Sequence, residues 1–453
     1  MELATLSGTR GANLHPTVIV LSVLALMGIG YGSLSNASLA PIALALALFA
    51  LTSINYFVAR SVVYPPFLYC GVWLIATIAY LFYPREIDLL TWESVFIFAG
   101  AAVCFSVGAL VGKRRLAKGG RASFDLPTNN SQPRRLLLLY SIVTVPFFLS
   151  DTVRISGMPF TLTPEWLIAT RAAIINSFLA GVAPYSSKFV SMAPNIAVLT
   201  AWLLILEERR RSIVILGCIV AILLSVLTTG RLVLLQFICG WMVLAVLKRK
   251  DQSITAFGKI LMLSGAGALL IITALSLVTK SETQGDDAVS VALEMTMAYA
   301  AGPLAAFDYV VDHPREFAGH SSTVFADILA PAAEIGLTRY DPPPLIDSFS
   351  YIPFPMNVYT MLKPYYLDFG VVGCLLALLV IGMIHGFTFA AANHGNRLAA
   401  LFLAYLAYAV IFSPFGDSYH LLQRHIYVIG YGMMYFFVAR NLPVFVIGNR
   451  SRT

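Results

Sequence analysis

Arginine is the first chemically suggestive feature of this chain. Arg154, Arg171, Arg231, Arg315, Arg339 and Arg424 all fall in connections between long apolar runs. A guanidinium presents a planar fork of donors that fits phosphate oxygens. Near lipid the same group is costly unless it is paired or solvated. Arg231 is the sharpest case. It follows Thr229-Gly230 between two uncharged stretches, 212–229 and 232–247, and its nearest acids in sequence, Glu208 and Asp251, lie at their far ends. Arg231 can snorkel or pair structurally, or it can meet an anionic headgroup or a pyrophosphate.

The stretch 357–370 is the second constellation. Asn357, Tyr359, Lys363, Tyr365, Tyr366 and Asp368 crowd into it, and an apolar run follows directly. Aromatic faces and hydroxyls are the groups that hold sugars. Asp368 has two readings, a helix N-cap or a carboxylate acting as base or sugar ligand. His320, in Gly319-His320-Ser321-Ser322, is either a solvated loop histidine or a second candidate base. His420, with Asp417 and Tyr419, sits beside Arg424 and could complete a pocket. Two acidic pairs, Glu86-x-Asp88 and Asp286–Asp287, read first as interfacial or loop polarity. No HExxH, phosphate-binding glycine loop or dinucleotide fingerprint is present, and the five cysteines lack metal-ligand spacing. The expectation is an enzyme with no metal and no other cofactor, and no nucleic-acid partner.

These groups must be positioned by membrane helices. Apolar residues make up 58% of the 453, and charged residues only 12%. A soluble domain carries about 25% charged residues, so a soluble enzyme, a disordered chain and a nucleic-acid binder are excluded. The net charge of +7 reads as orientation of spans rather than as affinity for nucleic acid. A crossing helix needs about 20 mostly apolar residues. That rule predicts an all-α polytopic membrane protein with about twelve spans, near 17–35, 37–58, 64–83, 92–112, 136–150, 190–207, 212–229, 231–247, 259–279, 369–391, 398–413 and 424–440. The spans form a single membrane domain over 1–453, with membrane lipids as its surroundings.

Basic residues crowd into 113–135, 209–211, 248–250 and the tail after Arg440, each separated from the next by an even number of spans. All can face the cytoplasm together, with both termini inside. The segments 212–229 and 231–247 then form a helical hairpin with Arg231 at its outer tip. Two long connections, 151–189 and 280–368, lie outside, and loops of that length are usually functional. Helical patterns run near 165–180, where Trp166 is a candidate interface residue, and over 287–301.

Thr229-Gly230-Arg231 between two spans, and the 357–370 stretch followed by Gly373, resemble the Wzy-type O-antigen polymerases, the bacterial oligosaccharide repeat-unit polymerases. The layout, with a long outer loop before the last spans, is similar too. The resemblance implies an enzyme of the bacterial inner membrane. It would transfer a glycan from undecaprenyl pyrophosphate to the non-reducing sugar of another lipid-linked repeat unit, at the periplasmic face. A chain-length regulator is then a candidate partner. Under that reading Arg231, Asp368 and His320 are the catalytic candidates. The five other arginines, Asn357, Tyr359, Lys363, Tyr365, Tyr366 and His420 would bind substrate. An O-antigen ligase, or another polyprenyl-linked glycosyltransferase, would use the same leaving group and is the nearest alternative. A lipid-linked oligosaccharide flippase is the more distant one. It would need polar residues through its span centres and often shows repeated halves.

Overall fold

The computed structural model describes residues 39–83, 86–114, 132–161, 163–180, 182, 184–229, 231–249, 252–254, 258, 288–317, 322–342, 347–352, 354–419 and 422–441. The expected spans at 17–35 and 259–279 lie outside them, as do His320 and His420.

The regular elements among the described residues are helices, apart from one two-residue strand pair. In order come α1 (Ala40–Ala59), α2 (Pro65–Leu81), α3 (Trp92–Arg114), α4 (Gln132–Ser156), α5 (Pro164–Leu179), α6 (Lys188–Glu207), α7 (Arg211–Leu227) and α8 (Arg231–Leu247). There follow α9 (Ala288–Asp312), α10 (Pro314–Phe317), α11 (Ala326–Glu334), α12 (Leu362–Asn393), α13 (Arg397–Ile411) and α14 (Leu422–Asn441). Strands β1 (Ser350–Tyr351) and β2 (Pro355–Met356) pair antiparallel, Ser350 opposite Met356.

Among the described residues five helices, α1, α3, α4, α6 and α12, are long and apolar enough to cross a membrane, and five shorter apolar stretches accompany them. Their outward faces are apolar as well, with Leu46, Phe49, Ile75, Leu136, Phe147, Ile215 and Val372 exposed. A water-facing surface does not carry such a belt. The protein is an all-α membrane protein.

Three details depart from the sequence expectation. The segment expected to end at residue 150 continues as α4 to Ser156. Trp166 is fully buried in one of the apolar cores, its ring edge-on to Phe160 at 5.1 Å, so it faces protein and not lipid. The run expected to begin at 369 is already helical from Leu362, and the break falls at Gly370, with φ 64° and ψ −171°. That conformation is open essentially to glycine alone, so the residue fixes where the second part of α12 starts.

Two apolar cores interleave along the chain. One gathers α1, α2, most of α3, α9, the β pair and the first half of α12. The other gathers α4 to α8, α13 and α14. Helices α3 and α12 form the closest contact between helices. Gly108 and Gly112 face Leu379 and Met383, while Gly382 and Gly386 face Phe105 and Ala109, and in each case the neighbour nearest the glycine is a backbone carbonyl. Small residues four apart on both partners let the two backbones touch, which is how helices associate where no hydrophobic drive separates lipid from protein. Polar contacts reinforce the first core: Asn55 Nδ2 donates to Ser106 Oγ at 3.0 Å, and Trp73 Nε1 to Ser413 Oγ at 2.8 Å.

Candidate functional site

The polar contacts sort into two ends of the bundle. At one end Glu207 is completely buried and accepts from three elements: Arg134 Nη1 at 2.9 Å, Arg397 Nη1 at 3.1 Å and the Tyr435 hydroxyl at 2.6 Å. Lys248 Nζ donates to the Ile205 carbonyl at 2.6 Å beside them. These are residues the charge pattern assigns to the basic side. At the other end the 280–368 connection meets the segments just before α3 and just after α13, and the 357–368 candidates lie there.

That loop-bearing end is built by short bonds between segments far apart in sequence. Asp308 on α9 accepts from the Thr91 hydroxyl at 2.6 Å and from its N–H at 3.0 Å, just before α3. Burial holds the Asp308 carboxyl above its usual range, while its bonds to Ser94 and Thr91 pull the other way. Asp308→Ala would leave the Thr91 donors without an acceptor. It is expected to lower stability by about 1–3 kcal/mol, read as a fall in the thermal unfolding midpoint of the detergent-solubilised protein.

The stretch 357–370 forms one wall of this end. Asn357 is half-buried after β2. The Tyr359 hydroxyl donates to the Ser348 carbonyl at 2.7 Å, and burial raises its phenol above the usual range. Lys363 Nζ lies 2.8 Å from Asp347 Oδ1, 3.8 Å from the Tyr359 ring centroid and 5.1 Å from that of Phe317. Its charge is thus already held by a carboxylate and two aromatic faces. Tyr366 meets Phe307 edge-on. Tyr365 donates to Asp417 Oδ1 at 3.4 Å.

Asp417 in turn accepts from the Tyr419 N–H at 2.8 Å, and the Tyr419 hydroxyl lies 2.8 Å from His385 Nε2, inside α12. This chain of contacts runs from the loop-bearing end into the apolar bundle, where His385 also packs against Phe105. His385 was not among the candidates read from the sequence. Its signal was a lone ionisable residue in an otherwise apolar run, which marks a functional candidate by default.

Asp368 does not cap the helix that follows it. It lies in the last turn before the Gly370 break, and its Oδ2 accepts from Ser322 Oγ at 2.6 Å and from the Val324 N–H at 3.0 Å. A carboxylate so used fastens the start of α11 to α12.

The arginines separate into groups. Arg154 lies 3.3 Å from Asp151 and donates to the Pro184 carbonyl at 3.0 Å, so its charge is already partly compensated. Asp151 also accepts from Ser186. Arg171 is half-buried on α5, and Arg315 and Arg339 are exposed. Arg424 lies in the first turn of α14, and its side chain is outside the described residues.

Arg231 is the first residue of α8. The tip before it is strained, because Thr229 has φ 52°. A β-branched residue in that region is a true outlier. Such strain costs on the order of 1–3 kcal/mol, persists only where the surroundings enforce it, and clusters at functional sites. The structure therefore brings together 357–368, Asp417 and Tyr419 at one end, and does not bring Arg154 into that group. Among the described residues no three His, Cys, Asp or Glu side chains converge as metal ligands. Comparison with known protein families, curated proteins and solved structures finds no match for this chain.

Proposed function

We propose that this protein polymerises oligosaccharide repeat units carried on undecaprenyl pyrophosphate, at the periplasmic face of a bacterial inner membrane. The topology belongs to the same proposal: about twelve spans, both termini in the cytoplasm, the Glu207 end inside and the loop-bearing end outside. The strained Thr229 that sets the start of α8 carries this reading. In this reading Arg231 stands at the mouth of the α7–α8 turn, where its guanidinium would stabilise charge developing on a pyrophosphate leaving group. In the wall formed by 357–368, half-buried Asn357 and Tyr366 are the groups open to sugars, while buried Tyr359, Lys363 and Tyr365 are bonded within the protein and would shape the wall behind them. No nucleotide is required, since the glycosyl–pyrophosphate bond already holds the energy.

In the transfer, the acceptor hydroxyl attacks the anomeric carbon, the bond from that carbon to the pyrophosphate oxygen breaks, and the hydroxyl proton passes to a base. Asp368 and His320 are the candidate bases. Arg171, Arg315, Arg339 and Arg424 are the further phosphate contacts. Loss of the gene is expected to leave surface glycan capped at one repeat unit on a gel. Full-length glycan stranded on the lipid carrier would indicate a ligase instead, and repeat units retained inside would indicate a flippase. Arg231→Ala, at normal membrane levels, is expected to lower polymerisation about 100-fold or more, the usual effect of removing one donor to a developing oxyanion. Unchanged glycan length in that variant would remove Arg231 from the mechanism.

A further inference from the structure

Helix α11 has no buried residue. Phe325, Ile328, Ile335 and Leu337 are all exposed, the last two at 73% and 76%. Ile328, Ala332 and Ile335 recur at helical spacing and share one face. The apolar tip is nevertheless tied back to the helix. Gly336, at φ 79°, closes the helix, with the Leu337 N–H on the Ala332 carbonyl and the Gly336 N–H on the Ala333 carbonyl, both at 2.9 Å. That is a Schellman motif, and it fixes Leu337 relative to the helix.

The other end of α11 is pinned at a defined level. Asp368 holds Ser322 and Val324, Ser322 Oγ accepts from the Phe325 N–H at 3.2 Å, and the Phe325 ring meets Phe369 at 5.8 Å. Asp368 and Phe369 immediately precede Gly370. There the exposed apolar run of α12 begins, with Val371, Val372, Leu376 and Val380. The apolar face of α11 is thus continuous with the bilayer-facing surface of a spanning helix.

We propose that α11 and its Ile335–Leu337 tip lie in the membrane interface at the loop-bearing end, with the apolar side chains among the upper acyl chains. The occupant of this face is the bilayer itself. A capped helix with apolar side chains on one face, tethered where a span leaves the hydrocarbon, binds there by the area it buries. Exposed Arg339, just beyond the tip, falls at the level of lipid phosphates. The inference is independent of the glycan reading, because it concerns only where this helix sits.

The test uses the full chain in phosphatidylcholine vesicles. Leu337→Trp is compared with the parent, so that the five native tryptophans are subtracted. The added emission is expected to be largely lost in vesicles whose lipid is brominated near the glycerol end of its chains, and to survive iodide in the water. Ile328→Trp, also at an exposed site, is expected to behave alike, whereas Glu334→Trp keeps more of its emission in brominated lipid. Emission untouched by bromine and quenched by iodide would put α11 in water. Emission shielded from both would put it against protein. Either result overturns the proposal.

Discussion

Gly386→Leu is expected to leave little protein that survives detergent extraction as a single folded species. A side chain at Gly386 would meet the backbone of Ala109 on the facing helix, and backbone cannot swing aside as a side chain can. Gly108, Gly112 and Gly382 repeat the same close approach along the seam, so no rigid shift of α12 relieves one position without opening the others. Overpacking a core typically costs about 1–3 kcal/mol, and here two helix backbones must part along their main contact. The loss should reach the upper end of that range or exceed it. Size-exclusion profiles and thermal unfolding in detergent would measure it, with Gly386→Ala intermediate. Gly430 has no heavy atom near where a side chain would begin, so Gly430→Ala serves as the neutral control. A Gly386→Leu protein as stable as the parent would mean that the α3–α12 seam is not closed in the membrane.

Removing the carboxylate at position 207 should be nearly as damaging. Glu207 is fully buried, and Arg134, its closest guanidinium partner, is only 4% exposed. Glu207→Ala leaves that guanidinium buried without its main counter-charge, takes an acceptor from Arg397 and strands the Tyr435 hydroxyl. Breaking one side of a buried ion pair costs about 3–5 kcal/mol. The expected result is a large fall in the unfolding midpoint. Replacing Arg134 and Glu207 together by Met should restore part of the loss, because an apolar pair removes both desolvation penalties. A double variant no better than Glu207→Ala would show that Arg397 and Tyr435, rather than Arg134, depend on the carboxylate.

How legible were these features in the sequence? The apolar runs located the helices well, because lipid demands long uncharged stretches whatever they pack against. Residues 108–112 and 382–386 each read Gly-x-x-x-Gly, so the small residues were in view. What could not be read was that the two repeats face each other across some 270 intervening residues. Glu207 appeared only as the acidic start of a basic flank. Its partners stand 73, 190 and 228 residues away, a separation no local pattern reports. The 357–370 stretch was rightly read as dense in polar and aromatic groups. Its internal bonds, such as Lys363 to Asp347 and Asp368 to Ser322, depend on how the long loop folds back. Arg231 was legible as a charge between apolar runs with no acid near it in sequence, but the strained Thr229 before it is a backbone property that the sequence does not encode locally.

The interleaving of the two cores bears on how the chain can be divided. The first core takes residues from 40 to 105, again from 301 to 378, and Val410, while the second takes Val62–Tyr64 and Ala109, then residues from 148 to 247, and again those from Phe389 onward. Cutting the polypeptide between 249 and 288 would give two pieces, each holding part of both cores and neither holding a whole one. Neither piece should mature alone, whereas the two expressed together can still reassemble around each other. Quality control in the cell would then act on the pair, and a half-made chain would remain a client of chaperones and proteases until the last helices arrive.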